Sequence, residues 1–205
     1  MTIFNDRRNK IRCDIMPPME VGAPVTTTEI CAALHAGQRQ ITQLFERVDA
    51  EHCFASVAPE WSLAEHIVHL CLAYDQIIRV LGANKERLLA RTGVPDHASL
   101  SFEQMHTRYT GLIAGGLVTT AAFTPQHVNV DVHKAHARDD ILQRWDHAGR
   151  ALRAAAEPWT GAELDGHQVP HPVMGMLTVR ELLFFCIVHD ANHLDIMRRL
   201  VASGV

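Results

Sequence analysis

His189 and His193 stand four residues apart near the end of a long, largely apolar stretch that begins at Thr178. On a helix that spacing sets two imidazoles on one face, about one turn apart. Rings that face a core need partners, and a metal ion is a partner that uses both. A third imidazole has to come from elsewhere, and His69 is the candidate, on an earlier helix that also carries Glu65 and His66. Three neutral imidazoles suit zinc, nickel, iron or copper. Three protein ligands leave a coordination position open, as catalytic rather than structural sites do. The plainer alternative is that these are core histidines, His69 simply bonded to a backbone carbonyl.

The elements that must position these side chains follow from caps and periodicity. Thr178 and Glu181 form a Thr-x-x-Glu capping box for the last helix, and Ser62 and Glu65 form another for the helix that carries His69. Helical spacing of apolar residues predicts helices over about 26–50, 62–91, 99–115 and 134–156, besides the one from 178. The connection over 157–177 holds three prolines and three glycines, and loops of that length usually shape a site. No strand, internal repeat or low-complexity tract is evident. The expected fold is all-α, an antiparallel four-helix bundle with an extra short helix and long loops, over 26–205. Residues 1–25, with Pro17, Pro18, Gly22 and Pro24, read as an N-terminal arm.

Composition narrows the function classes. The chain has 205 residues and a formal net charge of −4, with 19 basic and 23 acidic side chains and no long basic run, so no nucleic-acid partner is expected. Five cysteines without a Cys-x-x-Cys pair point to a reducing compartment, and with no leader-like apolar segment a cytoplasmic location is expected. No run of about 18 apolar residues occurs, so no membrane partner is expected.

Trp61-Ser62, Glu65 and His69 resemble the start of the second helix of the DinB-like superfamily, where Trp-Ser, two residues, Glu, three residues and His deliver a metal ligand. Pro172 to Glu181, followed by His189-Asp190-Ala191-Asn192-His193, is similar to that family's loop and fourth helix. The resemblance implies a bundle, commonly a homodimer, with a divalent ion, zinc or nickel foremost, held by His69, His189 and His193. It also implies a small-molecule substrate. Characterised branches include transferases for low-molecular-weight thiols such as bacillithiol, mycothiol and glutathione, so the leading expectation is a metal-dependent thiol S-transferase. The alternatives are a hydrolase using the same three histidines and a non-catalytic metal- or ligand-binding stress protein.

Other residues divide between chemistry and structure. Glu65 is a candidate general base, but its capping duty explains it as well. His171 on the 157–177 connection and Arg180 in the first turn of the last helix are candidate substrate-binding groups. Asp190 is expected at a helix interface or in solvent, and Cys186 in the core. Trp61, Trp145 and Trp159 are expected to be packing residues.

Overall fold

A computed structural model describes residues 23–55, 60–117, 121–125 and 136–204. Among them are eight α-helices: α1 (Thr27–Arg47), α2 (Ala50–Phe54), α3 (Leu63–Leu81), α4 (Lys85–Thr92), α5 (Phe102–Ala114), α6 (Ala137–Ala156), α7 (Gly161–Gly166) and α8 (Val179–Ser203). The arm over 1–22, most of the loop over 117–132 and the predicted first turn at Lys134 lie outside the described residues.

The predicted caps form. Ser62 Oγ accepts from the Glu65 amide at 3.2 Å, while Glu65 Oε2 accepts from the Ser62 amide at 2.7 Å. Thr178 and Glu181 make the same reciprocal pair at 3.2 and 2.8 Å. Each box satisfies two amides that a helix start would otherwise leave open, and so fixes where α3 and α8 begin and which residues face the core.

Helices α1, α3, α6 and α8 make the four-helix bundle, with α1 and α3 each packed on both α6 and α8. Named contacts give the directions. His66 meets His193 and His69 meets His189, so α3 and α8 run antiparallel. Cys31 reaches Arg153 and Arg138 reaches Phe45, so α1 and α6 are also antiparallel. The other two contacts are parallel: Tyr74 packs on Trp145 while Leu81 accepts from Trp159, and Val25 and Gln40 pair with Arg180 and Arg198. Parallel neighbours cannot be joined by a tight turn, and the chain between α3 and α6 accordingly makes a long crossover containing α4 and α5.

Two expectations need correction. The helix predicted over 62–91 is two helices, because the chain breaks at Gly82 and Asn84 restarts it, its side chain accepting from the Arg87 amide at 2.9 Å. The connection over 157–177 is not strand-free. After α7 it forms an antiparallel hairpin of β1 (Gln168–His171) and β2 (Gly175–Thr178), in which Gln168 pairs with Thr178 and Gly175 adopts φ 74°. Four-residue strands offer too short a pattern to register as alternation.

The core is aromatic where the helices cross. Trp145 is fully buried, its indole N–H donating to the Gln38 carbonyl at 3.2 Å. The Gln38 side chain returns a bond to the Trp145 carbonyl at 2.9 Å and accepts from Arg153, tying α1 to α6. Trp159 closes one end of the bundle, donating to the Leu81 carbonyl at 3.1 Å.

Candidate metal centre

The antiparallel α3 and α8 interface brings His69, His189 and His193 together, all three buried. One ring nitrogen from each lies within 4.8 Å of the others. His69 Nε2 is 3.0 Å from His189 Nε2, and His189 Nε2 is 3.1 Å from His193 Nε2. Burial lowers the pKa of all three rings, and for His189 and His193 the neighbouring imidazoles push it further down. They are therefore neutral, the state a metal ligand requires.

The outer nitrogens decide which way the lone pairs point. His69 Nδ1 lies 2.7 Å from the Phe123 carbonyl, which only accepts, so Nδ1 carries the proton and the Nε2 lone pair faces the cluster. His193 Nδ1 is 2.8 Å from Nδ1 of His66. With one proton at most on His189 Nε2, only one of its two short contacts can be a hydrogen bond. Among the described residues His189 Nδ1 is buried without a partner. Protons alone leave this cluster under-satisfied, whereas a cation accepts all three lone pairs at once. The donor set thus fits a divalent transition ion.

The rings also sit in an aromatic setting. The Trp61 indole lies nearly parallel to His193, at 6° and 6.4 Å, and 5.0 Å from His69. Phe185 stacks on His189 at 5.0 Å and 17°. Trp61, expected to be a packing residue, is instead part of the wall around the cluster. A cavity of about 410 Å³ opens beside these rings, walled by α3, α5, α8, the hairpin and Phe123.

The sequence matches the DinB superfamily over residues 33–197. The chain belongs to that superfamily. No curated protein matches it. The chain is also similar to a solved structure, the crystal structure of the colibactin self-resistance protein ClbS in complex with a dsDNA. The identity is 13% and the TM-score 0.54, over 88% of this chain and 98% of that one. At such identity the likeness is one of fold.

That likeness corrects the expectation of no nucleic-acid partner, since a protein of this fold is held on dsDNA. A net charge summed over the chain reports no local field, and phosphates respond to the local field. No helix among the described residues is long and apolar enough to cross a membrane.

The remaining candidates separate clearly. Glu65 serves as the capping-box carboxylate of α3. His171, at the end of β1, lines the cavity and packs on Phe185 at 4.5 Å. Its Nδ1 accepts from the Val173 and Met174 amides at 3.4 and 3.2 Å, and burial lowers its pKa to about 4. It is therefore a neutral Nε2–H tautomer. Arg180, the other candidate substrate-binding group, is not among the residues that line the cavity. Its guanidinium grips Asp165 at 2.6 and 2.9 Å and donates to the Val25 and Gly161 carbonyls. Asp190 lies at the interface of α3 and α8, where Tyr74 donates to Oδ2, and burial raises its pKa to about 8. Cys186 is buried, its thiol directed at the Leu182 carbonyl.

Two contributors escape sequence reasoning. His66 precedes the ligand-motif histidine by three residues and sits on a flank of the helix, yet its ring reaches His193. Phe123 lies in a short 3₁₀ turn (Ala121–Phe123) of a region without any motif, and it contributes only a carbonyl, for which no side-chain signal exists.

Proposed function

We propose that this DinB-superfamily protein is a metal-dependent enzyme that converts a small molecule held in the cavity beside His69, His189 and His193. These three residues hold one divalent transition ion, zinc or nickel. The observation that carries the reading is the convergence of three neutral imidazoles, of which His69 and His193 have their outer nitrogens held from behind by the Phe123 carbonyl and His66. Bound there, the ion supplies a Lewis acid that activates a nucleophile. Among the finer readings we favour transfer of a low-molecular-weight thiol, with hydrolysis as the alternative.

The chain's own residues supply the rest. The Phe123 carbonyl holds the ring of His69, and His66 that of His193, in one orientation. Trp61, Phe185 and Tyr109 exclude water from the cluster, which strengthens electrostatic interactions in the cavity. His171, as an Nε2–H tautomer, serves as a hydrogen-bond donor to substrate. Glu65 stays at the helix cap and Arg180 at the Asp165 tie, so neither takes part in the chemistry.

The test is metal content by mass spectrometry on tag-free protein, wild type beside His69→Ala and His193→Ala. About one transition ion per chain, lost in both variants, supports the centre; absence of metal after reconstitution overturns it. Loaded protein is then offered electrophiles with and without thiols, and thiol-dependent turnover separates transferase from hydrolase. A second reading, binding of duplex DNA, is supported by the likeness to ClbS alone. Fluorescence anisotropy with a labelled duplex at low and moderate salt tests it, since backbone binding weakens steeply with salt.

A further inference from the structure

The turn of the hairpin joins a cavity-lining histidine to an arginine that does not itself line the cavity. His171 Nδ1 lies 3.4 and 3.2 Å from the amide nitrogens of Val173 and Met174. A backbone amide only donates, so Nδ1 is the acceptor and the ring proton is on Nε2. That leaves an N–H donor on the side of the ring away from the turn. The turn is held from its other side as well. Arg108, on α5, donates from Nη2 to the Met174 carbonyl at 2.6 Å. Met174 is therefore gripped at both ends of its backbone, the N–H by His171 and the C=O by Arg108. Its side chain is buried, and Gly175 takes the left-handed φ of 74° that lets the chain reverse just after it.

A hydrogen bond from a guanidinium is stronger than one between neutral groups, so Arg108 is a firm anchor for the turn. Burial first, and the Arg108 charge next, lower the His171 pKa to about 4, which keeps the ring neutral with a single donor. Such a group discriminates where an amide does not. Asn192 and Gln76 also line the cavity, but a carboxamide offers either its donor or its acceptor by rotating. His171 cannot turn without leaving the Val173 and Met174 amides unaccepted. Much of the remaining wall is apolar, with Ala73, Ile77, Leu182 and Phe185 among its residues. An apolar molecule that sets an acceptor oxygen against Nε2 gains both burial and a hydrogen bond there.

We propose that Arg108 is a positioning residue. By holding the Met174 carbonyl it keeps the turn closed on His171 Nδ1, and so sets the Nε2 donor that selects an apolar molecule bearing an acceptor oxygen, such as a ketone. The inference rests on the cavity being the reaction site under the proposed function, and it names the class of molecule received there. Arg108 is exposed and acts only through the turn, so replacing it leaves the cavity wall itself intact.

The test reads the His171 ring directly. Long-range proton–nitrogen NMR on the full chain, labelled with nitrogen-15 and stripped of metal by a chelator, tells a protonated ring nitrogen from an unprotonated one, and His171→Phe identifies the signals. Wild type should carry the proton on Nε2. Arg108→Ala should raise the Nδ1–H fraction about two- to tenfold, the change expected when one hydrogen bond is loosened. Arg108→Lys, which can still donate to the carbonyl, should recover most of it. Tetralone and tetralin, one framework with and without a carbonyl, are then titrated into the same stripped protein, where no ion competes for the oxygen. The ratio of tetralone to tetralin affinity should fall about threefold or more in His171→Phe and in Arg108→Ala, and return in Arg108→Lys. Circular dichroism checks that each variant folds. A wild-type proton on Nδ1, a folded Arg108→Ala with an unchanged tautomer, or a ratio unmoved by either variant overturns the proposal, whatever happens to the urea midpoint. The expected tautomer and ratios in a protein that retains no metal after reconstitution sink the metal centre and leave this inference standing. Metal retention with a wild-type ratio in both variants does the reverse.

Discussion

His66 offers a sharp test of how the candidate centre is held. Its Nδ1 is 2.8 Å from Nδ1 of His193, and both rings are nearly sealed from solvent, at 4% and 6% exposure. When His193 gives its Nε2 lone pair to an ion, Nδ1 must carry a proton, and His66 is the acceptor placed to receive it. Replacing His66 with Phe keeps a ring in the space and removes the acceptor. With the acceptor gone, the loaded protein leaves that N–H without its protein partner, at a cost of about 1–3 kcal/mol. Loss of the group that orients a ligand histidine weakens metal binding about 10- to 100-fold, which corresponds to about 1.4–2.7 kcal/mol, so the two routes agree. The metal-free protein should behave differently. There the His66 Nε2 is itself buried without a partner among the described residues, so His66→Phe relieves one unsatisfied atom while creating another, and stability should change by less than about 1 kcal/mol. Competition with a chromophoric chelator measures the first quantity and urea unfolding of metal-free protein the second. Wild-type zinc affinity in His66→Phe refutes the assignment; equal losses in both assays would mean that His66 is only a packing residue.

Three further outcomes are expected. Glu65→Gln should keep the cap of α3, because glutamine also serves at that capping-box position, and turnover should stay within a few-fold of wild type; a loss of about 100-fold in kcat would place Glu65 in the chemistry. Gly149→Ala should lower stability by about 1–3 kcal/mol, read as a shift in the urea midpoint. A Cβ there would lie 2.1 Å from Gln38 Nε2 and force the amide off the Trp145 carbonyl; an unchanged midpoint would mean Gln38 contributes nothing to the joint of α1 and α6. Asp165 has its pKa lowered chiefly by the hydrogen bonds from Arg180. A depressed carboxylate stabilises the fold above its unfolded pKa, about 3.9, and loses that contribution as pH falls through the folded value. Asp165→Asn should therefore be less stable than wild type at pH 7 and converge with it in strong acid, while KM stays unchanged; a raised KM would return Arg180 and Asp165 to the substrate site.

What the sequence makes legible is whatever rests on local pattern. The boxes at Ser62–Glu65 and Thr178–Glu181 are short-range hydrogen-bond motifs, and both form where the residues predict. The four long helices follow from apolar periodicity summed over many residues, which averages out local exceptions. Periodicity also misleads in one place, because the apolar pattern continues across Gly82 while the backbone does not, and the cap at Asn84 is a signal that the longer pattern hides. The hairpin from Gln168 to Thr178 depends on pairing between strands too short to show alternation, so only its turn glycine leaves a mark.

The site divides along the same line. An i, i+4 histidine pair is local and readable, and the third histidine belongs to a motif with fixed spacing from the α3 cap. Everything that turns three histidines into a poised cluster is non-local. The Phe123 carbonyl reaches His69 across 54 residues, and His66 reaches His193 across 127. Net charge shows the same limit from the other side. A chain total of −4 gave no warrant for excluding nucleic acid. It also could not foretell that the cavity wall would carry no lysine or arginine among its described residues while Arg180 lay committed to Asp165. Recognition depends on where charges sit after folding, and here the fold, by turning Arg180 to Asp165 and His171 toward Phe185, decides which of two similar sequence candidates reaches the cavity.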